Sequence, residues 1–472
     1  MNQILRQDLK ELERLLERTK DETVDYLKDI QDIPTSVAST ALSRRNLNDE
    51  GLGGLAALKE FRERYRSIIV GSSGPRFWGF VTGGATPASI MGDWLASAYD
   101  QNTQSVSGSG DISGQIELEA IDLFLELLGL PKTFKGGFVT GAMMSNFTCL
   151  ATARQWLGHE QGMDIAKKGL SRGDVLKVLS ATPHSSTMKA LALLGIGKDN
   201  LMPVPTMGID REAIDIEALE QQIQSLNGIP FILVTSAATV NTGDFDDFVK
   251  IAELRTKYRF WWHIDAAFGG LVGCSPKYNH LVEGWEHADS ITVDCHKWLN
   301  VPYENAVFFI KEEHQKYQVE TFQNSNAPYL GNISGNLNFL DLLPENSRRL
   351  KALPVWFSLV AYGKQGYTDI VENSIHLAQK FGKWIQDHDQ LELLAPIHLN
   401  IVPFTIRNTT EGTIDRFLDT LNFRGKIFMT PTVFNGQKGV RAAFVNWRTN
   451  LEDIEMAMEE IENTLQIIGL KQ

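Results

Sequence analysis

Short apolar runs alternate with amphipathic stretches along most of this chain, and the spacing changes character near both ends. Five runs of four to seven residues read as strands: GGFVTG near Val139, VLKVLSA near Val178, FILVTS near Leu233, FWWHID near Trp262 and SITVD near Val293. Helix-length segments separate them, and this rhythm predicts an α/β fold, an open and mostly parallel sheet covered by helices. Such sheets bind ligands at the carboxyl ends of their strands. From about Pro344 the rhythm gives way to strands such as IHLNIVPFTI and VRAAFVNW set among helices, which predicts a smaller α+β domain. At the amino end Leu5, Leu9, Leu12 and Leu16 recur at three- and four-residue spacing, so a helix there carries one apolar stripe. That stripe needs a cover, from the chain's own body or from a second subunit. The expected division is residues 1–80 helical, 81–343 the large α/β domain and 344–472 the small α+β domain, with no internal repeat or long linker.

Composition narrows the function classes. The chain has 472 residues, 43% of them hydrophobic, which is ordinary for a globular protein with a sizeable core. A net charge of −13 disfavours an extended nucleic-acid groove or an anionic membrane surface as partner. Cys149, Cys274 and Cys295 are few, odd in number and far apart, so neither a disulfide framework nor a cysteine-rich metal site is expected. The charged first residues do not read as a secretory signal, and no run approaches about 18 apolar residues. A small-molecule enzyme of a reducing, cytoplasmic compartment is the expectation.

The candidate chemistry starts where the run SITVD delivers His296 and Lys297 into a turn. An amine joins a carbonyl group only when its proton leaves readily, and partial burial beside an aromatic such as Trp298 favours that. Taken alone, the dipeptide reads as a surface lysine after a strand. Earlier, FWWHID ends in Asp265, followed by Ala266 and Ala267, small residues that leave room for a flat ring. A carboxylate that keeps a pyridinium nitrogen protonated turns such a ring into an electron sink, so Asp265 and Lys297 together point to pyridoxal phosphate. In FVTGAMMSNF a strand turns through Gly141 into a helix, whose first N–H groups and dipole suit a phosphate.

With these residues in this order, the chain resembles the group II pyridoxal-phosphate decarboxylases, which include the aromatic-L-amino-acid and glutamate decarboxylases. The resemblance spans nearly the whole chain. It runs from GPRFWGFVTGGATPASIMGDW through LELLGLP, GGFVTGAMMSNF, HSSTMKALALLG, Asp265 and Lys297 to SRRLKALPVWFSL and GVRAAFVNWRTN. It implies a fold-type I enzyme, a homodimer clasped by its N-terminal helices, and an amino acid decarboxylated to its amine through a Lys297 Schiff base. It also implies Ala142 and Met143 at the phosphate, His184 stacked on the ring and near the substrate carboxylate, and Thr239 and Ala267 beside the ring. Asp294 and His296 flank the lysine. Phe80, Thr82 and, from the neighbouring subunit, Ser105 would line the substrate pocket, with Phe77 and Trp78 in the same aromatic segment favouring an aromatic side chain.

Several positions depart from the family. Met143 stands where a serine is usual, leaving Ser145 and Asn146 either to replace the lost hydroxyl or to cap the helix. Ala238-Thr239 replaces a glycine-threonine pair. The loop NAPYLGNISGNLNFLDLLPENSRR has Asn338, Phe339 and Leu342 near the position of the family's proton-donating tyrosine, and Tyr329 resembles a different tyrosine. Oxygen-dependent conversion to an aldehyde is therefore an alternative outcome. An acidic substrate attracted by Arg76 and a non-catalytic relative are further alternatives; Arg441 and Arg448 read as structural charges, and no metal is expected.

Overall fold

The structure is a computed structural model that describes residues 2–38, 41–107, 110–171, 173, 175–323 and 338–470. Its large sheet is built from β1 (Phe134–Val139), β2 (Val178–Ser180), β3 (Leu201–Pro203), β4 (Phe231–Ser236), β5 (Phe260–Asp265), β6 (Ser290–Val293) and β7 (Ala306–Lys311). Their order is β1-β7-β6-β5-β4-β2-β3. Strands β2 to β6 pair in parallel, whereas β7 runs antiparallel to both its neighbours. All six residues of β4 and of β5 are buried. Unbroken apolar runs of this kind suit strands covered on both faces.

Register sets the site. Asp265 pairs with Ser236 on one side and with Thr292 on the other, so three strands end almost level. The segments that follow them carry Thr239, Ala267 and the 294–305 loop, and they open along one edge. The reversed β7 is the reason for that loop, because β6 and β7 are antiparallel neighbours joined directly rather than by a crossover helix. The reversal of the strand AVFFIK was not part of the sequence expectation.

A small sheet follows, with β8 (Leu391–Leu393), β9 (Ile401–Ile406), β10 (Thr430–Phe434) and β11 (Gln437–Ala443) in the order β10-β11-β9-β8, antiparallel throughout. Its core holds Phe381, Phe404, Phe417 and Phe444, and Trp78 from the N-terminal segment is buried among them. The helix Ala352–Asp387, interrupted at Gly363 where φ is 58°, bridges the two layers. It packs on the helices Pro87–Tyr99 and Gly114–Leu128 and on β8 and β9. The N-terminal leucine stripe finds no cover among the described residues: Leu5, Leu9, Leu12 and Leu16 are all half or more exposed. No helix of the described residues is long and apolar enough to cross a membrane.

Candidate active site

Lys297 lies in the loop between β6 and β7, held by its own N–H to Asp294 O (3.3 Å) and by Asn300 N–H to its carbonyl (3.2 Å). Its Nζ is 3.5 Å from Asp294 Oδ2. The neighbour of the amine is thus a carboxylate. Trp298, expected beside it, is fully buried and donates to Ser374 Oγ at 3.1 Å. The segment from Phe80 to Gly83 runs directly against this loop. A Cβ on Gly83 would lie 1.6 Å from Lys297 O, so no other residue fits there. Phe80 and Val81 both hold positive φ, 55° and 59°, a strained conformation for a β-branched valine. The bend presents Thr82 to the site, where its Oγ1 is 3.3 Å from the Tyr303 hydroxyl. The Tyr303 ring lies 4.2 Å from that of His296.

Asp265, the last residue of β5, accepts from Asn146 Nδ2 (2.9 Å) and from Ala267 N–H (3.2 Å). His184 follows β2 and caps the helix Ser185–Leu193: its Nδ1 accepts from Ser186 N–H at 3.2 Å and lies 2.7 Å from Ser186 Oγ. Burial pushes the His184 imidazole below its ordinary pKa; Lys297 and Arg441 push the same way, against Asp265 and Asp294. The structure therefore brings His184, Asp265, Asp294 and Lys297 into one electrostatic neighbourhood.

At the other end of the site the helix Ala142–Glu160 starts at Gly141, with Ala142 N–H 3.4 Å from Asp294 Oδ2. His296 Nδ1 accepts from Asn305 N–H at 3.2 Å. In the neutral ring that leaves the proton on Nε2, which is 3.1 Å from Asp294 Oδ1 but not aligned for a hydrogen bond. A Cβ on Gly141 would stand 3.3 Å from His296 Cε1, so glycine keeps this approach open. An amine, a carboxylate at the sheet end, an imidazole and a helix N-terminus fit a pyridoxal phosphate: Lys297 for the aldehyde, Asp265 for the ring nitrogen, and Ala142 and Met143 for the phosphate.

Other expected residues have partners of their own. Ser145 Oγ is tied to Thr292 Oγ1 (2.8 Å) and Val307 O (3.0 Å), so it neither caps the helix nor faces the phosphate end. Thr239 donates to Glu212 Oε2 at 2.5 Å and accepts from Asp244 N–H at 3.0 Å. Ser105 Oγ bonds to Ser107 O and Asn338 Oδ1; its expected place is in the neighbouring subunit's pocket. Phe339 is buried beneath the Arg348 guanidinium, 4.9 Å from its ring, so it is a core residue and not a substitute for the missing tyrosine. Tyr329 lies outside the described residues. Arg76 pairs with Asp453 at 3.6 Å and donates to Lys426 O, which leaves it no role toward an acidic substrate.

Four residues go beyond the sequence reading: Asn146, His263, Tyr303 and Arg441. His263 shares a strand face with Asp265, a relation that period-two alternation signals. Arg441, expected as a structural charge, is buried, donates to Val240 O at 2.8 Å and has an Nε with no partner among the described residues.

Sheet order and site together define a pyridoxal-phosphate enzyme, and comparison with known proteins agrees. The description "Pyridoxal-dependent decarboxylase conserved domain" matches residues 42–407, and the chain belongs to this family. It is 26% identical to an aromatic-L-amino-acid decarboxylase of Bacillus atrophaeus, over 100% of this chain and 98% of that protein. It is 25% identical to a phenylacetaldehyde synthase of Petunia hybrida, over 86% and 83%. Its fold matches that of Oryza sativa TDC, solved with PLP and tryptamine, at a TM-score of 0.89 and 22% identity, covering 97% and 98% of the two chains. The fold is accordingly fold-type I, the cofactor is pyridoxal phosphate, and the activity is that of an amino-acid decarboxylase.

Proposed function

We propose that the protein decarboxylates an aromatic L-amino acid to its amine and carbon dioxide, as a homodimer in the cytoplasm. One observation carries this reading: the segment that runs from Phe77 through Phe80 to Gly83, against the Lys297 carbonyl, is aromatic. Phe77 stacks on Phe428 with ring centroids 4.6 Å apart, and the exposed Phe80 ring lies 5.8 Å from Phe428. Bound pyridoxal phosphate supplies an aldehyde for the lysine and a ring that draws electrons from the substrate α-carbon. The chain's own groups do the rest. Asp265, which accepts from Asn146 Nδ2 and Ala267 N–H, would face the ring nitrogen and hold its proton there. His184 presents an imidazole to the ring face. Thr82 orients the substrate carboxylate, and the Tyr303 hydroxyl places a proton source beside Thr82. The uncovered leucine stripe supports the dimer, and three free cysteines support a reducing compartment.

A second reading, oxygen-dependent aldehyde formation, is favoured by the absence of tyrosine from 338–342 and by the Petunia relative. Product analysis under air separates the two, since amine without peroxide supports the first and aldehyde with peroxide the second. Lys297→Ala is expected to lower turnover by about 1,000-fold or more and to abolish the visible absorbance of lysine-bound cofactor. Full turnover in that variant would remove the lysine from the mechanism.

A further inference from the structure

Asn146 is the fifth residue of the helix Ala142–Glu160, is fully buried, and spends every polar atom of its side chain on the site. Its Nδ2 is 2.9 Å from Asp265 Oδ2 and 3.1 Å from Ser186 Oγ, and its Oδ1 is 2.9 Å from His263 Nε2. An ionised carboxylate only accepts, so the amide nitrogen must face Asp265 and the amide oxygen must face His263. His263 therefore carries its proton on Nε2, and its Nδ1 accepts the hydroxyl proton of Ser290, 2.9 Å away. Ser290 Oγ in turn receives Trp261 Nε1–H at 2.9 Å. Burial pushes the His263 pKa down to about 4, in keeping with this neutral ring. Every donor in the chain Trp261, Ser290, His263, Asn146 points the same way.

At Asn146 the direction divides. One amide hydrogen goes to Asp265, the other to Ser186, whose own hydroxyl proton is then free for His184 Nδ1 at 2.7 Å. His184 Nδ1 thus accepts, and its proton resides on Nε2.

We infer that Asn146 is a positioning residue that acts on two groups at once through the two hydrogens of one buried amide: it sets the carboxylate of Asp265 and reinforces the His184 tautomer that Ser186 N–H also favours. The inference rests on the reading of Lys297 and Asp265 as the cofactor site. Its chemical basis is that a hydrogen bond to the charged form favours that form, while a hydroxyl donor on one ring nitrogen assigns the proton to the other. Asparagine suits this branch point because its side chain combines two donors with one acceptor.

The test is a pH titration of the absorbance of cofactor held on Lys297, in wild type, Asn146→Ala, Asn146→Asp and Ser186→Ala. Asn146→Ala is expected to shift the spectral midpoint by about half a pH unit or more. Asn146→Asp is expected to shift it further, because two adjacent carboxylates cannot both ionise freely. Ser186→Ala leaves the Asp265 arm intact, so its midpoint should stay at the wild-type value. In cofactor-free protein, ¹⁵N shifts of His184 should report a proton on Nε2 in wild type and a smaller share of that tautomer in both Asn146→Ala and Ser186→Ala, where Ser186 N–H alone still holds Nδ1. Should Asn146→Ala fail to fold, Asn146→Ser, with one hydroxyl hydrogen, serves in its place and is expected to lose at least one of the two signatures. Titrations and ¹⁵N shifts that overlay the wild type in a folded, loaded variant would overturn the inference. A wild type that takes up no cofactor would instead overturn the reading of Lys297, while the ¹⁵N result would still judge the His184 arm.

Discussion

Ala238 holds φ at 70°, in the left-handed region, at the turn after β4. An L-residue pays about 1–2 kcal/mol for that conformation, and glycine does not. The position leaves little room on its other side, since a Cβ on Gly269 would come within 2.5 Å of the Ala238 Cβ. Ala238→Gly should therefore raise stability by about 1 kcal/mol, read as a higher midpoint of thermal or urea unfolding. An unchanged or lower midpoint would mean that the turn relaxes around alanine. The Ala238-Thr239 pair was visible in the sequence as a departure from the family; its positive φ was not, because a turn's dihedral depends on what the next strands allow. The same holds for Thr239, whose hydroxyl is held by Glu212, a partner 27 residues away.

Among the elements, one buried ion pair joins a helix, a strand and a loop. Glu117, on the helix Gly114–Leu128, accepts through a single oxygen from Arg348 Nη2 (2.6 Å) and from Phe138 N–H of β1 (2.8 Å). Arg348 also donates to Phe138 O (2.7 Å) and Thr103 O (3.0 Å), and its guanidinium covers the Phe339 ring. Both side chains are almost wholly inaccessible, and Glu117 Oε2 has no partner among the described residues. Removing one charge would strand the other, so Glu117→Ala is expected to cost about 3–5 kcal/mol by urea denaturation. The double replacement Glu117→Leu with Arg348→Met should recover most of that loss. If the double variant is no better than the single, the pair itself, and not the stranded charge, carries the stability. The Ser-Arg-Arg element stood out in the sequence, whereas its acidic partner did not, since nothing local links Glu117 to Arg348.

For the whole molecule, the leucine stripe and two buried titratable groups make measurable claims. Leu9→Asp combined with Leu16→Asp should shift the protein toward monomer by light scattering, because both side chains stand more than half exposed on the free chain. An unchanged mass would place the dimer interface, or the stripe's cover, elsewhere. The pH dependence has two opposed parts. His263, with its pKa pushed by burial to about 4 from the ordinary 6.5, stays neutral in the fold while the unfolded chain takes up a proton. Its contribution is therefore lost as pH falls from about 6.5 to about 4, on the order of 3 kcal/mol. Asp246, pushed by burial up to about 7, holds its proton in the fold, and its contribution is lost as pH rises from about 4 to about 7. The two slopes offset each other in the wild type. Replacement of one exposes the other: His263→Asn should gain stability relative to wild type as pH falls from about 6.5 to about 4. Parallel stability curves for the two proteins would show that His263 titrates normally.

The sequence by itself determined the alternating α/β architecture, because unbroken apolar runs and helical periods are local properties that burial dictates residue by residue. It also singled out Lys297, Asp265 and His184 as candidates, since each stands at or shortly after a strand end and the motifs occur in one order along the chain. Only the tertiary structure decided the rest. The reversal of β7 depends on which edges pair, and the fate of Phe339 depends on Arg348 closing over it. Asn146 reads in one dimension as a helix cap or as a replacement for the lost hydroxyl, and becomes a branch point only because the fold sets it against Asp265, 119 residues away. Hydrogen-bond partners are chosen by proximity in space, and the residue types alone do not record that proximity.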